Sequence, residues 1–178
     1  WAINKDLLMF SPGVMPSVSM ILQNLSKPTD NIIIQQPVYS PFASVVEITG
    51  RTLKVNPLIQ TESGDYIMDY DHLESLIDDN TKFIILCNPH NPVGRVWTKE
   101  ELEKLGAICL KHNVGVISDE IHCDLVFKGK KHVPFASLSK AIANITVTCL
   151  APSKTFNIPG LQASVILHPN KESFDKID

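Results

Sequence analysis

The sequence predicts an α/β fold, a three-layer α/β/α sandwich built around a mostly parallel sheet. Two observations support this prediction. Short apolar segments rich in β-branched residues recur along the 178-residue chain, and segments with the spacing of amphipathic helices lie between them. Strands that alternate with helices form βαβ units, whose crossover helices cover both faces of a parallel sheet.

Each predicted element has its own local signal. The helix at 98–112 begins with a capping box of Thr98 and Glu101, and the strand at 82–87 has the β-branched, apolar content of a buried strand. In chain order, the predicted elements are a helix at 18–25, a strand at 31–35, a helix from 37 to about 48, a strand at 52–55, an extended or turn segment at 65–70, a helix at 71–77, a strand at 82–87, a helix at 98–112, and strands at 114–118, 145–149 and 163–167.

Composition narrows the possible partners. The chain is 44% hydrophobic and 20% charged, which is ordinary for a globular protein that buries a core. The net charge is -3 and there are no basic clusters that would attract a nucleic acid. No apolar run reaches the ~20 residues that are needed to cross a bilayer. We therefore expect neither a nucleic acid nor a membrane as a partner.

The cysteines and most histidines give no sign of a metal site. Free thiols in a reducing cytoplasm explain the four widely spaced cysteines better than disulfides or a metal, so we predict a cytoplasmic protein. Four histidines lack metal-ligand spacing, and we expect them at the surface or hydrogen-bonded. These residues are Cys87, Cys109, Cys123 and Cys149, and His72, His112, His132 and His168.

Polar residues follow three predicted strands, where a parallel sheet places its ligands. Asn91 follows the strand at 82–87, Asp119 and His122 follow the strand at 114–118, and Lys154 follows the strand at 145–149. Ligands of open α/β sheets bind outside the carboxyl ends of the strands. Each residue also has a structural explanation: Asn91 with its proline forms a turn, Asp119 caps a helix, and His122 is a hydrogen-bonded buried histidine.

Lys154 is the candidate nucleophile. At the rim of a buried strand we expect a half-buried amine, and such an amine is partly neutral near pH 7 and attacks a carbonyl to form a Schiff base. The alternative is a surface lysine beside a turn. Glu120 lies next to Asp119 but points to the opposite side of an extended strand, so we do not expect it to act as a second acid.

These residues carry a family resemblance that covers essentially the whole chain. Their order and spacing resemble the large domain of fold type I pyridoxal 5'-phosphate (PLP) enzymes, the aminotransferase class I/II superfamily. Finer details are similar to one branch, the cystathionine β-lyase-like carbon–sulfur lyases. The motifs are Asn91-Pro-Val-Gly94, Asp119-Glu-Ile-His122 and Ser153-Lys154 with Asn157 and Gly160 for the superfamily, and Pro37-Val-Tyr39 and Gly94-Arg-Val-Trp97-Thr98 for the branch.

The resemblance implies a PLP site and a role for each residue. Lys154 would bind the cofactor covalently and then serve as the base that removes the Cα proton of the substrate. Asp119 would pair with the pyridine nitrogen and keep it protonated. Asn91 and His122 would hydrogen-bond the phenolic oxygen of the ring, and Tyr39 would stack on its face.

The phosphate of the cofactor would lie at the start of the first helix. Gly13, Val14 and Met15 precede or begin this helix, whose amino end favours an anion, and Ser153 adds a hydroxyl. Two positions depart from the wider superfamily, which often has Ser or Gly three residues before the lysine and Arg eight after it. Here these positions are Ala151 and Gln162. These departures fit the lyase branch better than aspartate-type aminotransferases.

The resemblance favours β-elimination, which converts cystathionine or cysteine-like amino acids to a thiol, pyruvate and ammonia. The alternatives are a PLP-dependent class I/II aminotransferase on the same scaffold, and a cofactor-free interaction or structural domain that retains the fold. A yellow cofactor complex that depends on Lys154 distinguishes an enzyme from the latter. Release of pyruvate without a keto-acid acceptor distinguishes the lyase from the aminotransferase.

We interpret residues 1–178 as a PLP-binding large domain from a longer protein, because the chain begins at Trp1 without Met and its last residues look like the middle of a helix. The resemblance implies a separate amino-terminal segment, a carboxy-terminal small domain with an arginine that holds the substrate carboxylate, and a homodimer. Neither arginine of the chain, Arg51 or Arg95, matches that position. We therefore expect residues 1–178 alone to turn over substrate poorly or not at all.

Overall fold

The computed structural model describes residues 3–177, which form fifteen helices and strands together with short 3-10 turns at Lys5–Leu7, Phe135–Ser137 and Pro159–Leu161. In chain order these elements are β1 (Leu8–Ser11), α1 (Val14–Leu25), β2 (Asn31–Ile34), α2 (Pro41–Ile48), β3 (Thr52–Val55), β4 (Ile59–Gln60), β5 (Tyr66–Ile67), α3 (Tyr70–Leu76), β6 (Thr81–Cys87), α4 (Lys99–Lys111), β7 (Gly115–Asp119), α5 (Lys140–Asn144), β8 (Thr146–Leu150), β9 (Ser164–Leu167) and α6 (Lys171–Ile177).

Seven of the strands form one mostly parallel sheet in the order β1-β9-β8-β7-β6-β2-β3. The neighbours from β8 to β3 are all parallel, whereas β9 is antiparallel to both β8 and β1. The strands β4 and β5 form a separate small antiparallel pair. The predicted α/β class with a mostly parallel sheet is therefore confirmed.

Helices cover both faces of the sheet and bury two apolar clusters. In β2, Ile32 and Ile34 belong to the cluster under α1, α2 and α6, and Ile33 belongs to the cluster under α3, α4 and α5. Successive side chains of a strand point to opposite faces, so an uninterrupted apolar strand contributes to both clusters. This arrangement is the predicted three-layer sandwich. Within residues 3–177, no helix has both the length and the apolar character that a membrane crossing requires.

The predicted capping box at the start of α4 is present. Thr98 Oγ1 accepts the N–H of Glu101 at 3.2 Å, and the Glu101 carboxylate accepts the N–H of Thr98 at 2.8 Å. The same carboxylate binds Arg95 at 2.6 and 2.8 Å. The first turn of α4 is thereby tied to the loop that connects it to β6.

Two helices begin four residues away from the predicted start, and each has a proline in its first turn. Helix α1 begins at Val14 rather than at 18, and Pro16 lies in its first turn, where a missing N–H costs no hydrogen bond. Helix α2 begins at Pro41 rather than at 37. Strands β1 and β4 and helix α5 were not predicted from the sequence. Strand β1 is short and pairs only with β9, more than 150 residues away in the chain.

Candidate active site

A cavity of about 360 Å³ opens at the carboxyl ends of the parallel strands. Its lining includes every residue that the sequence analysis proposed for the site. These nine residues are Gly13, Val14, Met15, Tyr39, Asn91, Asp119, His122, Ser153 and Lys154. The chain thus brings together residues that are up to 141 positions apart, the separation of Gly13 and Lys154.

The register of the sheet explains this convergence. Cys87 at the end of β6 pairs with Asp119 at the end of β7, and Asp119 pairs in turn with Cys149 in β8. Three parallel strands therefore end at the same edge. Asn91, His122 and Lys154 follow these strand ends within five residues, so their side chains reach the same cavity.

Asp119 is a buried acid in the wall of the cavity. Its side chain is 5% exposed, and Oδ1 accepts the N–H of Ile121 at 3.1 Å. Burial raises the pKa of Asp119 to about 7, whereas the Ile121 hydrogen bond and the positive charge of Lys154 act in the opposite direction. No α-helix starts at this residue, so the capping alternative does not apply. The carboxyl group is available to a ligand in the cavity.

His122 is half-buried, and among residues 3–177 neither of its ring nitrogens has a hydrogen-bond partner. Burial lowers the pKa of His122, and the nearby charge of Lys154 lowers it further. A neutral ring is therefore favoured, which presents one donor and one acceptor to the cavity. The alternative of a hydrogen-bonded core histidine is not observed here.

Asn91 lies in a tight turn that β6 and Trp97 hold in place. Its N–H donates to Cys87 Sγ at 3.4 Å, and Trp97 Nε1 donates to the Cys87 carbonyl at 3.1 Å. The buried indole also packs edge-on against His90. Asn91 thus combines the two interpretations of its motif, because its backbone forms a turn and its side chain lines the cavity.

Lys154 is exposed, which corrects the expectation of a half-buried amine. The reason is local. The chain turns after β8, with the Phe156 N–H bonded to the Pro152 carbonyl at 3.0 Å, and this turn carries the lysine along the rim instead of into the sheet. Asn157 adopts a left-handed conformation with φ of 52° in the same segment. Lys154 therefore lines the cavity from an exposed position.

The start of α1 also lines the cavity. No side chain caps this helix, and the first N–H groups of a helix have no intrahelical acceptor. Two hydrogen bonds fix the backbone of Gly13: its N–H donates to Ser164 Oγ at 3.1 Å, and its carbonyl accepts from Ser17 Oγ at 2.9 Å. The N–H groups of Val14 and Met15 and the positive end of the helix dipole thus favour an anion.

Neither arginine of the chain lines the cavity. Arg51 donates to the carbonyl groups of Leu22 and Ser26 at 2.9 and 2.8 Å, where it closes the carboxyl end of α1. Arg95 is bound to Glu101 and lies 4.9 Å from the centre of the Trp97 ring. The substrate-carboxylate clamp that the resemblance implies is therefore not formed by these two residues.

Part of the lining was not predicted from the sequence. Ala151 and Gln162, which were noted above only as departures from a family pattern, both line the cavity. Cys87 also lines the cavity and was not assigned to the site, although its position at a strand end next to Asp119 is a detectable signal. The remaining lining residues are Pro12, Pro16, Ile121, Pro159 and Ala163, which contribute apolar surface and had no signal of their own.

The fold and the site together define a class of protein. A mostly parallel sheet between helices, with a lysine and a buried acid at the carboxyl edge of adjacent strands, is the arrangement of the large domain of fold type I PLP enzymes. The chain belongs to the family "Aminotransferase class I and II", which matches residues 2–177.

Three similar proteins illustrate the relationship. Cystathionine beta-lyase PatB of Bacillus subtilis is 52% identical over 172 residues, which cover 96% of this chain. A PLP-bound protein of Clostridium difficile 630, provisionally classed as an aminotransferase, is 54% identical over the full chain with a TM-score of 0.98. Cystalysin from Treponema denticola, which contains a PLP cofactor, is 40% identical over 99% of the chain with a TM-score of 0.97.

The chain spans less than half the length of these proteins. The aligned region covers 44% of PatB, 46% of the Clostridium difficile chain and 45% of the cystalysin chain. The relatives therefore contain further sequence outside the region that they share with this chain.

Proposed function

We propose that the protein binds PLP and that the whole protein is a carbon–sulfur β-lyase, which cleaves cystathionine or cysteine-like amino acids to a thiol, pyruvate and ammonia. The relationship to PatB, a cystathionine β-lyase, and to the PLP-containing cystalysin supports this proposal. The observation that carries it is the pair of Lys154 and the buried Asp119 in one cavity at the carboxyl ends of the strands.

The cavity suits PLP in its charge pattern. The buried carboxyl group of Asp119 has no ion-pair partner among residues 3–177, so a protonated ring nitrogen would supply the missing positive charge. The uncapped start of α1 offers N–H donors to a phosphate group. Lys154 provides an amine in the lining of the same cavity.

Each site residue would have a separate role in binding the cofactor or in proton transfer. Lys154 Nζ would anchor the cofactor covalently and later remove the proton from the substrate Cα. Asp119 would hold a proton on the pyridine nitrogen, and Asn91 and His122 would orient the ring by hydrogen bonds to its phenolic oxygen. Tyr39 would cover the ring face. When bound, PLP supplies an electron sink for negative charge at Cα.

The phosphate would be held without an arginine from the lining. Val14 and Met15 would present backbone N–H groups next to Gly13, whose own N–H donates to Ser164 Oγ, and Ser153 would add its hydroxyl. Gln162 stands where the wider superfamily often has Arg, so it would contribute dipoles but no charge. We expect phosphate affinity to depend strongly on the geometry of the helix start.

An aminotransferase is the second candidate. The same proton removal at Cα precedes either reaction, and the family description and the provisional class of the Clostridium difficile protein support this alternative. The choice depends on the substrate. A sulfur leaving group on Cβ permits elimination, whereas a substrate without a leaving group on Cβ cannot undergo elimination but can still transfer its amino group.

The test uses the full-length protein with cystathionine as the substrate. The proposal predicts release of pyruvate with no keto acid added, and Lys154→Ala is expected to lose both this activity and the visible absorption of the bound cofactor. Lys128→Ala is the matched control, because Lys128 is an exposed lysine outside the cavity. Turnover that requires a keto-acid acceptor would favour the aminotransferase, and a wild-type protein that binds no PLP would refute both.

We also propose a cytoplasmic homodimer. Four free thiols, of which Cys87, Cys109 and Cys149 are buried, support a reducing compartment. Exposed apolar side chains in or near the site segments, including Phe156 and Leu161 at 69% exposure each, support a covering subunit. Sedimentation of the full-length protein tests the dimer, and fractionation of cells tests the compartment.

A further inference from the structure

Glu120 is a buried carboxylate whose three partners come from different parts of the chain. Its side chain is 2% exposed. Oε1 accepts from Ser118 Oγ at 2.8 Å and from the N–H of Phe135 at 3.0 Å, and Oε2 accepts from His132 Nε2 at 2.8 Å. A buried charge is costly unless hydrogen bonds replace its lost hydration, and these three bonds do so for the Glu120 carboxylate.

These bonds close the loop at 121–134, which carries His122 into the cavity. The loop leaves the sheet after Glu120 and returns at His132 and Phe135, both of which are bound to the same carboxylate. The outer part of the loop is exposed, with Phe127 at 87% and Leu125 at 53%, so it has no apolar core of its own. At the two ends of the loop Ile121 and Val133 pack against the apolar clusters, and the hydrogen bonds to Glu120 join these two ends at the base.

Two weaker ties connect the same loop to the other site segments. Asn88, at the end of β6, donates from Nδ2 to the Val133 carbonyl at 3.1 Å. Thr155, next to the candidate lysine, donates from Oγ1 to the Asp124 carboxylate at 2.8 Å, but this pair is exposed and contributes little. The buried carboxylate at the base is the strongest of these connections.

We propose that Glu120 is a positioning residue, whose buried carboxylate closes the 121–134 loop and thereby places His122 in the cavity. This inference rests on the proposed PLP site, because His122 matters there as a ring ligand. Glu120 does not line the cavity and does not touch the reacting atoms. Its negative charge also contributes to the raised pKa of Asp119, after the larger effect of burial.

The first experiment needs no cofactor. Amide hydrogen exchange is measured on the cofactor-free full-length protein for Phe135, whose N–H binds Glu120, and for Leu125, whose N–H binds the His122 carbonyl at 2.9 Å. We expect Glu120→Ala to accelerate both exchanges at least about ten-fold and Glu120→Gln, which keeps an acceptor oxygen, to stay within about three-fold of wild type. Unchanged exchange in Glu120→Ala would overturn the proposal.

A second Glu–His pair in the same chain provides the matched control. Glu74 accepts from His112 Nε2 at 2.6 Å between α3 and the end of α4, and neither residue lines the cavity. Glu74→Ala removes a Glu–His pair that is more exposed, with the Glu74 side chain at 37% against 2% for Glu120, and it does not touch the 121–134 loop. It should leave the exchange of Phe135 and Leu125, and the affinity for PLP, at the wild-type level.

The second experiment asks whether Glu120 acts through His122. The dissociation constant of PLP is measured for wild type, Glu120→Ala, His122→Ala and the double variant. We expect Glu120→Ala to weaken PLP binding at least about ten-fold in the wild-type background and less than about three-fold in the His122→Ala background. Equal losses in both backgrounds would show a general structural role and refute the proposal.

Two further outcomes are separable. If Glu120→Ala does not fold, His132→Ala replaces it in the same cycle, because this change removes one of the three bonds and leaves the Phe135 bond in place. If wild-type protein binds no PLP, the proposed function fails. In that case hydrogen exchange still decides whether the Glu120 carboxylate closes the loop.

Discussion

Asp119 and Lys154 line one cavity from the ends of adjacent parallel strands, and the positive charge of Lys154 opposes the rise in the Asp119 pKa that burial causes. Burial has the larger effect, so the pKa of Asp119 is about 7 in the folded chain, against 3.8 for an ordinary aspartate. The folded state therefore binds this proton more tightly than the unfolded state. Its contribution to stability is fully present below about pH 4 and is lost as the pH rises through about 7.

Asp119→Asn should remove this pH dependence. At pH 8 the cofactor-free variant should be more stable than wild type by on the order of 2–4 kcal/mol, and the difference should disappear by about pH 4. Urea denaturation of the cofactor-free protein at several pH values measures it. Asp78→Asn is a control of opposite sign, because a hydrogen bond from Lys54 lowers the pKa of Asp78 to about 2. A pH-independent difference for Asp119→Asn would contradict the assignment.

Trp97 should be a main determinant of stability beside the site. The indole is fully buried and its Nε1 donates to the Cys87 carbonyl. We expect Trp97→Ala to lower the free energy of unfolding by about 3–5 kcal/mol, and Trp97→Phe by less because only part of the volume and one hydrogen bond are lost. Phe127→Ala, at an 87% exposed site, should change it by less than about 0.5 kcal/mol. Denaturant titration compares the three, and equal losses would be inconsistent with the packing described.

Gly115 should resist any side chain because of Phe83. A Cβ atom on Gly115 would overlap with ring atoms of Phe83 on the neighbouring strand. Gly115→Ala should therefore cost about 1–3 kcal/mol of stability. In the background of Phe83→Leu the same change should cost at least about 1 kcal/mol less, which a double-mutant cycle measures. Gly160→Ala has open space around its Cβ and serves as the control. Additive losses would show that the ring is not the obstacle.

Gln162→Arg should increase the affinity for PLP through its phosphate group. Gln162 lines the cavity and is exposed, so the added charge is expected to be worth about 1 kcal/mol or less, a gain of several-fold in affinity for PLP. Pyridoxal, which lacks the phosphate, should bind the variant and the wild type equally. Equilibrium titration with both ligands, at low and high salt, tests this. Equal gains for PLP and pyridoxal would place the phosphate elsewhere.

Local signals predicted most of the fold correctly. The strands at 31–35, 52–55 and 82–87 match β2, β3 and β6 to within one residue at either end. The apolar side chains of β2 and β6 are buried between two helix layers, whereas β3 is a half-buried strand at the edge of the sheet. The cap at Thr98 was equally readable, because a capping box involves only neighbouring residues. Strand β1 was not predicted because it has only four residues and forms a strand by pairing with β9, which is distant in the chain.

The site residues also differ in how far the sequence predicts them. Asn91, Asp119, His122 and Lys154 could be predicted to converge, since each follows a strand and parallel strands end at a common edge. The exposure of Lys154 could not, because it depends on a turn whose hydrogen bonds are not encoded in spacing.

The sequence alone determined the fold class, the edge of the sheet that carries the chemistry and the residue types gathered there, because these follow from hydrophobic period and strand order. Only the tertiary structure decided which polar groups are buried and what they bind. Glu120 and His132 show why: twelve positions separate them, no periodicity links them, and their bond exists only because the loop returns to its starting strand. An unpaired charge is costly only where packing buries it, so the partners that a buried charge needs can be identified only from the tertiary structure.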